Sequence, residues 1–174
     1  MSNKKTAVVV VALSVALLAA VGVIVWGVFF RDQGAPPIPP DYPPQEIESN
    51  QKPLEGDEEG KLESPQGGGA INVTYSTEVT VDLSDGTVKL LYANPRASNQ
   101  NVAILILVED LVVARSELIT PGHGVEELPL QEQARDRLAA GGYDGRLVVR
   151  AYHPETGEKA MIDTEGELRI TVTE

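Results

Sequence analysis

An uninterrupted apolar run near the N-terminus constrains this chain more than any other feature of its sequence. Residues 7–30 contain no charged residue and no proline, and Ser14 is the one polar side chain among them. At about 1.5 Å of rise per residue, a helix of this length is about 36 Å long, which exceeds the roughly 30 Å hydrocarbon core of a bilayer. Because a lone span must satisfy its backbone groups internally, the run predicts one transmembrane helix over residues 7–30.

The residues that flank this run indicate its orientation. Lys4 and Lys5 precede it, whereas Arg31 follows it and is next to Asp32. The positive charge on the N-terminal side favours a cytoplasmic location for residues 1–6 and an extracellular location for the C-terminal part. A cleaved signal peptide is the alternative, but its apolar core would be about 7 to 15 residues long and would end at small residues. We therefore expect an uncleaved signal-anchor in the cell membrane.

Charge and composition restrict what the exported part can bind. The net charge is −12, divided as +2 in residues 1–6, −6 in residues 31–69 and −8 in residues 70–174. Because acidic surfaces repel phosphate groups, we expect no binding to nucleic acid or to anionic lipid. The chain has no cysteine, so the exported part must be stabilised by core burial without disulfides. Residues 70–174 are enough for one domain of that kind.

Residues 31–69 differ sharply in composition from the run before them. They hold eight of the twelve prolines, many acidic residues and three consecutive glycines, but few apolar side chains. Such a segment buries too little apolar surface to offset its conformational entropy. We predict a disordered stalk over residues 31–69, extended in its proline-dense front, that holds the domain away from the membrane.

Alternation of apolar and polar residues dominates residues 70–174. The apolar positions between Ile71 and Leu83 share one parity, which is typical of a half-buried strand. Similar stretches follow at residues 88–93, 111–115, 125–130, 143–153 and 159–172. Residues 102–108 are apolar on both faces, which predicts a covered central strand. About seven short strands separated by turns predict an all-β domain, an antiparallel immunoglobulin-like sandwich.

Three local signals refine this prediction. Asp85 and Gly86 form a dipeptide that predicts a hairpin turn, because such turns need positive φ angles at both positions. Residues 131–140 are the one helical candidate outside the apolar run, and Gly141 stands where a C-terminal helix cap is expected. Tyr143 opens the second-last predicted strand, where the tyrosine corner of immunoglobulin-like sandwiches bonds its hydroxyl group to backbone a few residues upstream.

The order of these segments resembles small single-pass membrane-anchored surface proteins of Gram-positive bacteria. Those proteins share a short lysine-bearing N-terminus, here Met1–Lys5, followed by a span, an acidic linker and a strand-rich domain. Stretches such as Ile119–Gly122 and Gly142–Gly145 are also similar. The resemblance implies a location at the cell surface, and the family has no assigned activity.

No group of residues in the sequence forms a recognisable catalytic or metal-binding motif. His123 and His153 are the only histidines, which is too few for an ordinary zinc site in a chain without cysteine. Glu109–Asp110 and Glu126–Glu127 are adjacent pairs. Because neighbours on a strand point to opposite faces, neither pair is expected to act as an acid/base couple.

Two further candidates carry weaker signals. Residues 82–86 resemble the start of a calcium-binding loop but lack the later bidentate glutamate that such a loop requires. Lys89 lies inside a strand pattern and would need to be buried to form an intramolecular isopeptide bond, whereas the alternation around it predicts that it faces water. We therefore expect no catalytic residue, no metal and no cofactor.

These features together favour a non-enzymatic function. The leading hypothesis is a single-pass membrane protein that displays a β-domain on a stalk, to bind an extracellular protein or envelope ligand or to serve a structural role at the cell surface. The alternative is an accessory subunit of a membrane complex, for transport, secretion or assembly, that packs through its transmembrane helix. A cell-envelope enzyme is a third hypothesis, and it requires a concave pocket with convergent polar groups.

Overall fold

The computed structural model describes residues 43–44, 46–56, 60, 62–63 and 69–174. All of these residues belong to one unit, Ile38–Glu174. The predicted cytoplasmic residues 1–6, the predicted transmembrane helix at residues 7–30 and much of the predicted stalk lie outside the described residues. No helix within the described part of the chain has the length and apolar character needed to cross a membrane.

Nine strands and one short helix form the fold of the described residues. In chain order they are β1 (Lys52–Pro53), β2 (Thr74–Tyr75), β3 (Glu78–Asp82), β4 (Thr87–Asn94), β5 (Asn101–Val108), β6 (Leu111–Arg115), β7 (His123–Pro129), α1 (Glu132–Arg135), β8 (Gly141–Tyr152) and β9 (Thr164–Thr173). The strands follow the alternation in the sequence, since apolar positions of β4 are buried at Val88, Leu90 and Tyr92 while Lys89 and Leu91 between them are exposed.

The nine strands join one mixed sheet. Its order is β1-β7-β4-β3-β9-β8-β5-β6, and β2 also pairs with β4. All pairs of strands are antiparallel except β3 and β9, which run parallel with Glu78 opposite Arg169. The sheet curls, so that Ala114 of β6 forms a bridge with Leu130, the residue that follows β7. The predicted all-β fold is therefore confirmed, but the predicted purely antiparallel arrangement is wrong, because curling brings β3 beside β9.

Two groups of buried apolar residues pack against this sheet. The larger group draws residues from β3 to β9 and from α1, and includes Val81, Ile104 and Ile170. The smaller group consists of Leu105, Leu107, Val112 and Val148, from β5, β6 and β8. Every residue of β5 is buried, and β5 lies between β6 and β8, which confirms the prediction of a covered central strand.

Residues 46–56 belong to the folded domain, although the sequence predicted a disordered stalk there. In this segment β1 pairs with β7, and the carboxylate of Glu48 is buried. That carboxylate accepts hydrogen bonds from the backbone N–H groups of Asn50 at 3.0 Å and Glu117 at 2.9 Å. The segment is thus held by hydrogen bonds rather than by apolar burial, so a search for apolar residues does not detect it.

The helix predicted over residues 131–140 is much shorter in the structure. It covers Glu132–Arg135, and its C-cap is Asp136. Gly141 is not a helix cap, because it is the first residue of β8 and pairs with Val172 of β9. A short helix is marginal by itself, and the chain gains more backbone hydrogen bonds by entering the sheet at Gly141.

Asp85 and Gly86 lie in the turn between β3 and β4. Gly86 has a φ angle of 69°, but Asp85 does not have a positive φ angle, so the prediction for that residue is wrong. The carboxylate of Asp82 organises the turn instead, because its Oδ1 atom accepts hydrogen bonds from the Ser84 hydroxyl at 2.7 Å and from the backbone N–H groups of Ser84 and Asp85. The Ser84 hydroxyl and these backbone donors lower the pKa of Asp82.

Tyr143 lies near the start of β8, as its position in the sequence indicated. Its hydroxyl group donates a hydrogen bond to the carbonyl oxygen of Ala139 at 2.9 Å and accepts one from the N–H group of the same residue at 3.2 Å. These bonds tie the start of β8 to the segment that follows α1, which is the role of a tyrosine corner.

Arg150 is a charged residue that the fold buries. It lies in β8 and is 7% exposed, and its Nε atom is 3.5 Å from Oδ2 of Asp163. Alternation places Arg150 on the same face as Arg146, but that face is covered at Arg150 and not at Arg146. Strand period assigns a side chain to a face and carries no information about what covers the face.

Candidate binding groove

A groove crosses the exposed face of the sheet where β1, β7, β4, β2 and β3 meet. It consists of two adjoining cavities, of about 840 Å³ and about 600 Å³. Both cavities are lined by Lys52, Ser76, Leu91 and Glu126, so they form one continuous depression. We call it the groove below.

Strand register sets the charged half of the groove. Thr80 of β3 lies opposite Lys89 of β4, and Lys89 lies opposite Glu127 of β7. Their side chains are exposed and line the larger cavity. Cross-strand neighbours on one face lie about 5 Å apart, so the three side chains form a row across the sheet.

A β-bulge brings a second carboxylate of β7 to the same cavity. The register between β4 and β7 shifts between Lys89 and Tyr92, so Leu90 and Leu91 together face Glu126. Glu126 and Glu127 are both exposed, and both line the larger cavity. The prediction that this pair points to opposite faces is therefore wrong, because the bulge interrupts alternation.

The rim of the groove comes from the segment that the sequence assigned to the stalk. Lys52 of β1 forms an ion pair with Glu126 across the edge of the sheet. Both side chains are more than half exposed, so this pair contributes little to stability. Pro53 follows in β1, and a proline suits an edge strand because it has no N–H group to donate.

The smaller cavity provides an apolar half. Its lining includes Pro53, Leu54, Tyr75 and Leu91. Leu91 is 61% exposed at the junction of the two halves. The backbones of β4 and β7 approach closely at Gly124, since a Cβ atom there would lie 2.6 Å from the carbonyl oxygen of Tyr92. A glycine is therefore required at this position.

The charges of the groove are unequal in number. Glu78, Glu126 and Glu127 line the larger cavity with Lys52 and Lys89, which gives an excess of carboxylates. Apolar surface lies beside these charges in the smaller cavity. The arrangement fits a ligand that has an apolar group next to cationic or hydrogen-bonding groups.

The two histidines make short-range hydrogen bonds: His123 is the first residue of β7, and His153 follows the end of β8. Nδ1 of His123 is 2.9 Å from the Thr120 hydroxyl group. Nδ1 of His153 accepts hydrogen bonds from the backbone N–H groups of Glu155 and Thr156, each at 3.2 Å. Within residues 43–44, 46–56, 60, 62–63 and 69–174, no three His, Asp or Glu side chains are grouped to hold a metal ion.

The residues that the sequence singled out lie elsewhere in the fold. Asp85, Gly86, Gly141 and Tyr143 do not line either cavity. Lys89 does line the groove and is exposed, so it lacks the burial that an isopeptide bond requires. No sequence signal identifies the groove, because its lining depends on the bulge in β4 and on the pairing of β1 with β7.

Comparisons with known proteins add one structural likeness. No family model matches the chain, and no curated protein matches it. The chain is similar to a solved structure of AggA, the major subunit of aggregative adherence fimbriae type I from Escherichia coli, with 11% sequence identity and a TM-score of 0.33. The likeness covers 64% of this chain and 100% of that chain.

Proposed function

We propose that the protein is a single-pass membrane protein whose exported β-domain binds an extracellular protein or envelope ligand through the groove, without catalysing a reaction. The observation that carries this proposal is Leu91, which is 61% exposed where the apolar and charged halves of the groove meet. An apolar side chain that is exposed within a concave surface, with charges on one side, is typical of a binding site.

Membrane anchorage is the second part of the proposal. It is supported by the apolar run at residues 7–30, whose length fits a bilayer, and by Lys4 and Lys5 on its N-terminal side. The domain then lies outside the cell, where a β-domain without disulfides depends on its two apolar clusters for stability.

Site-directed photocrosslinking tests the groove. Because the chain has no cysteine, a Leu91→Cys variant of the full chain takes a single thiol-directed photoprobe. We expect saturable capture of a ligand on intact cells, reduced by an excess of unlabelled wild-type protein but not by unlabelled Leu91→Asp protein. An Asp110→Cys variant is the matched control, because Asp110 is exposed in the β5–β6 turn and does not line the groove. Equal capture from both positions would contradict the proposal.

Thiol labelling of intact cells tests the anchorage separately. Asp110→Cys should react with a membrane-impermeant maleimide from outside the cell. Ser2→Cys, in the predicted cytoplasmic segment, should react only after the membrane is permeabilised. The reverse pattern would show that the predicted orientation is wrong, and release of the labelled protein into the medium would show that the run is cleaved.

A further inference from the structure

An exposed apolar pair lies in the loop between β8 and β9. Met161 is 98% exposed and Ile162 is 81% exposed. Single exposed apolar residues are ordinary on protein surfaces, but two large ones side by side form an apolar patch in water. Covering this pair would remove that unfavourable surface from water.

The loop that carries the pair is built by specific contacts. The backbone N–H of Ala160 donates a hydrogen bond to the carbonyl oxygen of Ala151 at 2.8 Å. Nζ of Lys159 is 2.7 Å from Oδ1 of Asp163, and Arg150 contacts the other carboxylate oxygen of Asp163. The ion pair closes the chain on both sides of residues 160–162 and so presents Met161 and Ile162 at the tip of a closed turn.

The N-terminal part of the described chain lies beside the same loop. A Cβ atom at Gly157 would lie 3.4 Å from Cγ of Pro43, which is among the first described residues. Pro43 is 13 residues beyond Phe30, the last residue of the apolar run. A fully extended chain of 13 residues reaches about 45 Å. A bilayer that held residues 7–30 would therefore lie within reach of this loop.

We propose that the β8–β9 loop faces the bilayer and that Met161 and Ile162 enter its interfacial layer. This inference rests on the proposed anchorage, which supplies the high local concentration that a weak two-residue contact needs. The loop also carries Glu155, Glu158 and Asp163 against one lysine, so it favours a zwitterionic lipid surface over an anionic one.

The geometry of β9 predicts which end of the domain points away from the membrane. The loop precedes Thr164, the first residue of β9, and the carbonyl oxygen of Thr173 at its other end accepts a hydrogen bond from Leu83 in the β3–β4 turn. A strand of ten residues is about 33 Å long. Asp85 in that turn is therefore a distant position on the same domain.

Fluorescence of a single labelled cysteine tests the inference in the full chain. Met161→Cys and Asp85→Cys are each labelled with an environment-sensitive fluorophore and reconstituted into phosphatidylcholine vesicles, some of which contain lipids with a nitroxide near the headgroup. We expect a blue-shifted emission and several-fold stronger quenching at position 161 than at position 85. Adding Ile162→Ser to Met161→Cys should reduce both effects. Vesicles with added phosphatidylglycerol should show weaker quenching.

Flotation of the same vesicles separates failure of this inference from failure of the anchorage. If the full chain does not float with vesicles, the proposed anchorage is wrong and the inference falls with it. If the chain floats but positions 161 and 85 are quenched equally, the anchorage stands and the inference is wrong. A blue shift at position 161 that needs a protein partner, and is absent in vesicles, also overturns it.

Discussion

Two tyrosine hydroxyl groups in this domain have opposite environments. That of Tyr143 exchanges hydrogen bonds with the backbone of Ala139. That of Tyr92 is buried and has no hydrogen-bond partner within the described residues. A hydrogen bond contributes about 1 kcal/mol net, whereas burying an unsatisfied hydroxyl group costs about 1–3 kcal/mol. Removal of the hydroxyl group should therefore change the free energy of unfolding differently at the two positions.

We predict that Tyr143→Phe lowers the free energy of unfolding by about 1 kcal/mol, because the Ala139 backbone loses its partner. Tyr92→Phe should leave the free energy unchanged or raise it, because it removes a hydroxyl group that has no partner. Urea unfolding of both variants beside the wild type measures the difference. Equal losses in the two variants would show that the Tyr143 hydrogen bonds do not stabilise the domain.

The Tyr92 hydroxyl group also predicts a dependence on pH. Burial raises the pKa of Tyr92 above its ordinary value. The folded state then holds the proton more tightly than the unfolded chain, whose tyrosines titrate near pH 10. The stability that depends on this proton is complete below about pH 10 and decreases as the pH rises above it. Between pH 9 and about pH 11, the free energy of unfolding should decrease less in Tyr92→Phe than in the wild type.

At the scale of elements, the β5–β6 turn places a non-glycine residue in a strained conformation. Glu109 has a φ angle of 53°, and it is the one non-glycine residue with a positive φ angle in the described part of the chain. A side chain in this region costs about 1 kcal/mol relative to glycine. We predict that Glu109→Gly raises the free energy of unfolding by about 0.5–1 kcal/mol in thermal or urea unfolding.

The matched control for this turn is Asp110→Gly. Asp110 is the next residue and has no positive φ angle, so glycine there adds freedom to the unfolded chain without relieving strain. This variant should be unchanged or less stable than the wild type. A gain in Asp110→Gly as large as that in Glu109→Gly would contradict the assignment of strain to Glu109.

The β4–β7 pair shows which features of the fold the alternation of apolar and polar residues predicts and which it does not. Alternation correctly predicts that Val88 is buried and Lys89 is exposed, because the strand period follows directly from backbone geometry. It fails at Glu126 and Glu127, because a bulge changes the period without a glycine or proline to mark it. Local period also does not say which strands pair, so neither the parallel β3–β9 pair nor the groove could be predicted.

At the scale of the whole molecule, the domain begins earlier than composition indicates. A fragment of residues 46–174 keeps β1 and the buried Glu48, whereas a fragment of residues 70–174 loses both. We predict that the shorter fragment unfolds at a lower temperature, because the N–H group of Glu117 and the edge of β7 lose their partners.

A point variant distinguishes the effect of the Glu48 hydrogen bonds from the effect of removing residues 46–69. Glu48→Ala in the 46–174 fragment should lower the free energy of unfolding by about 1.5–3 kcal/mol, the range for hydrogen bonds to a charged group. Thermal unfolding of the two fragments and of this variant ranks their stabilities. If the two fragments melt at the same temperature, residues 46–69 do not contribute to the stability of the domain.

The position of β9 has a consequence for how the domain is made. Although β9 is the last strand in the described sequence, it lies between β3 and β8. Until residues 164–173 have left the ribosome, β3 and β8 each have an edge that lacks its β9 partner. Exposed strand edges pair readily with other chains. The sheet can therefore close only once β9 is available, and we expect a chain that is interrupted before Thr164 to aggregate rather than to form a smaller folded domain.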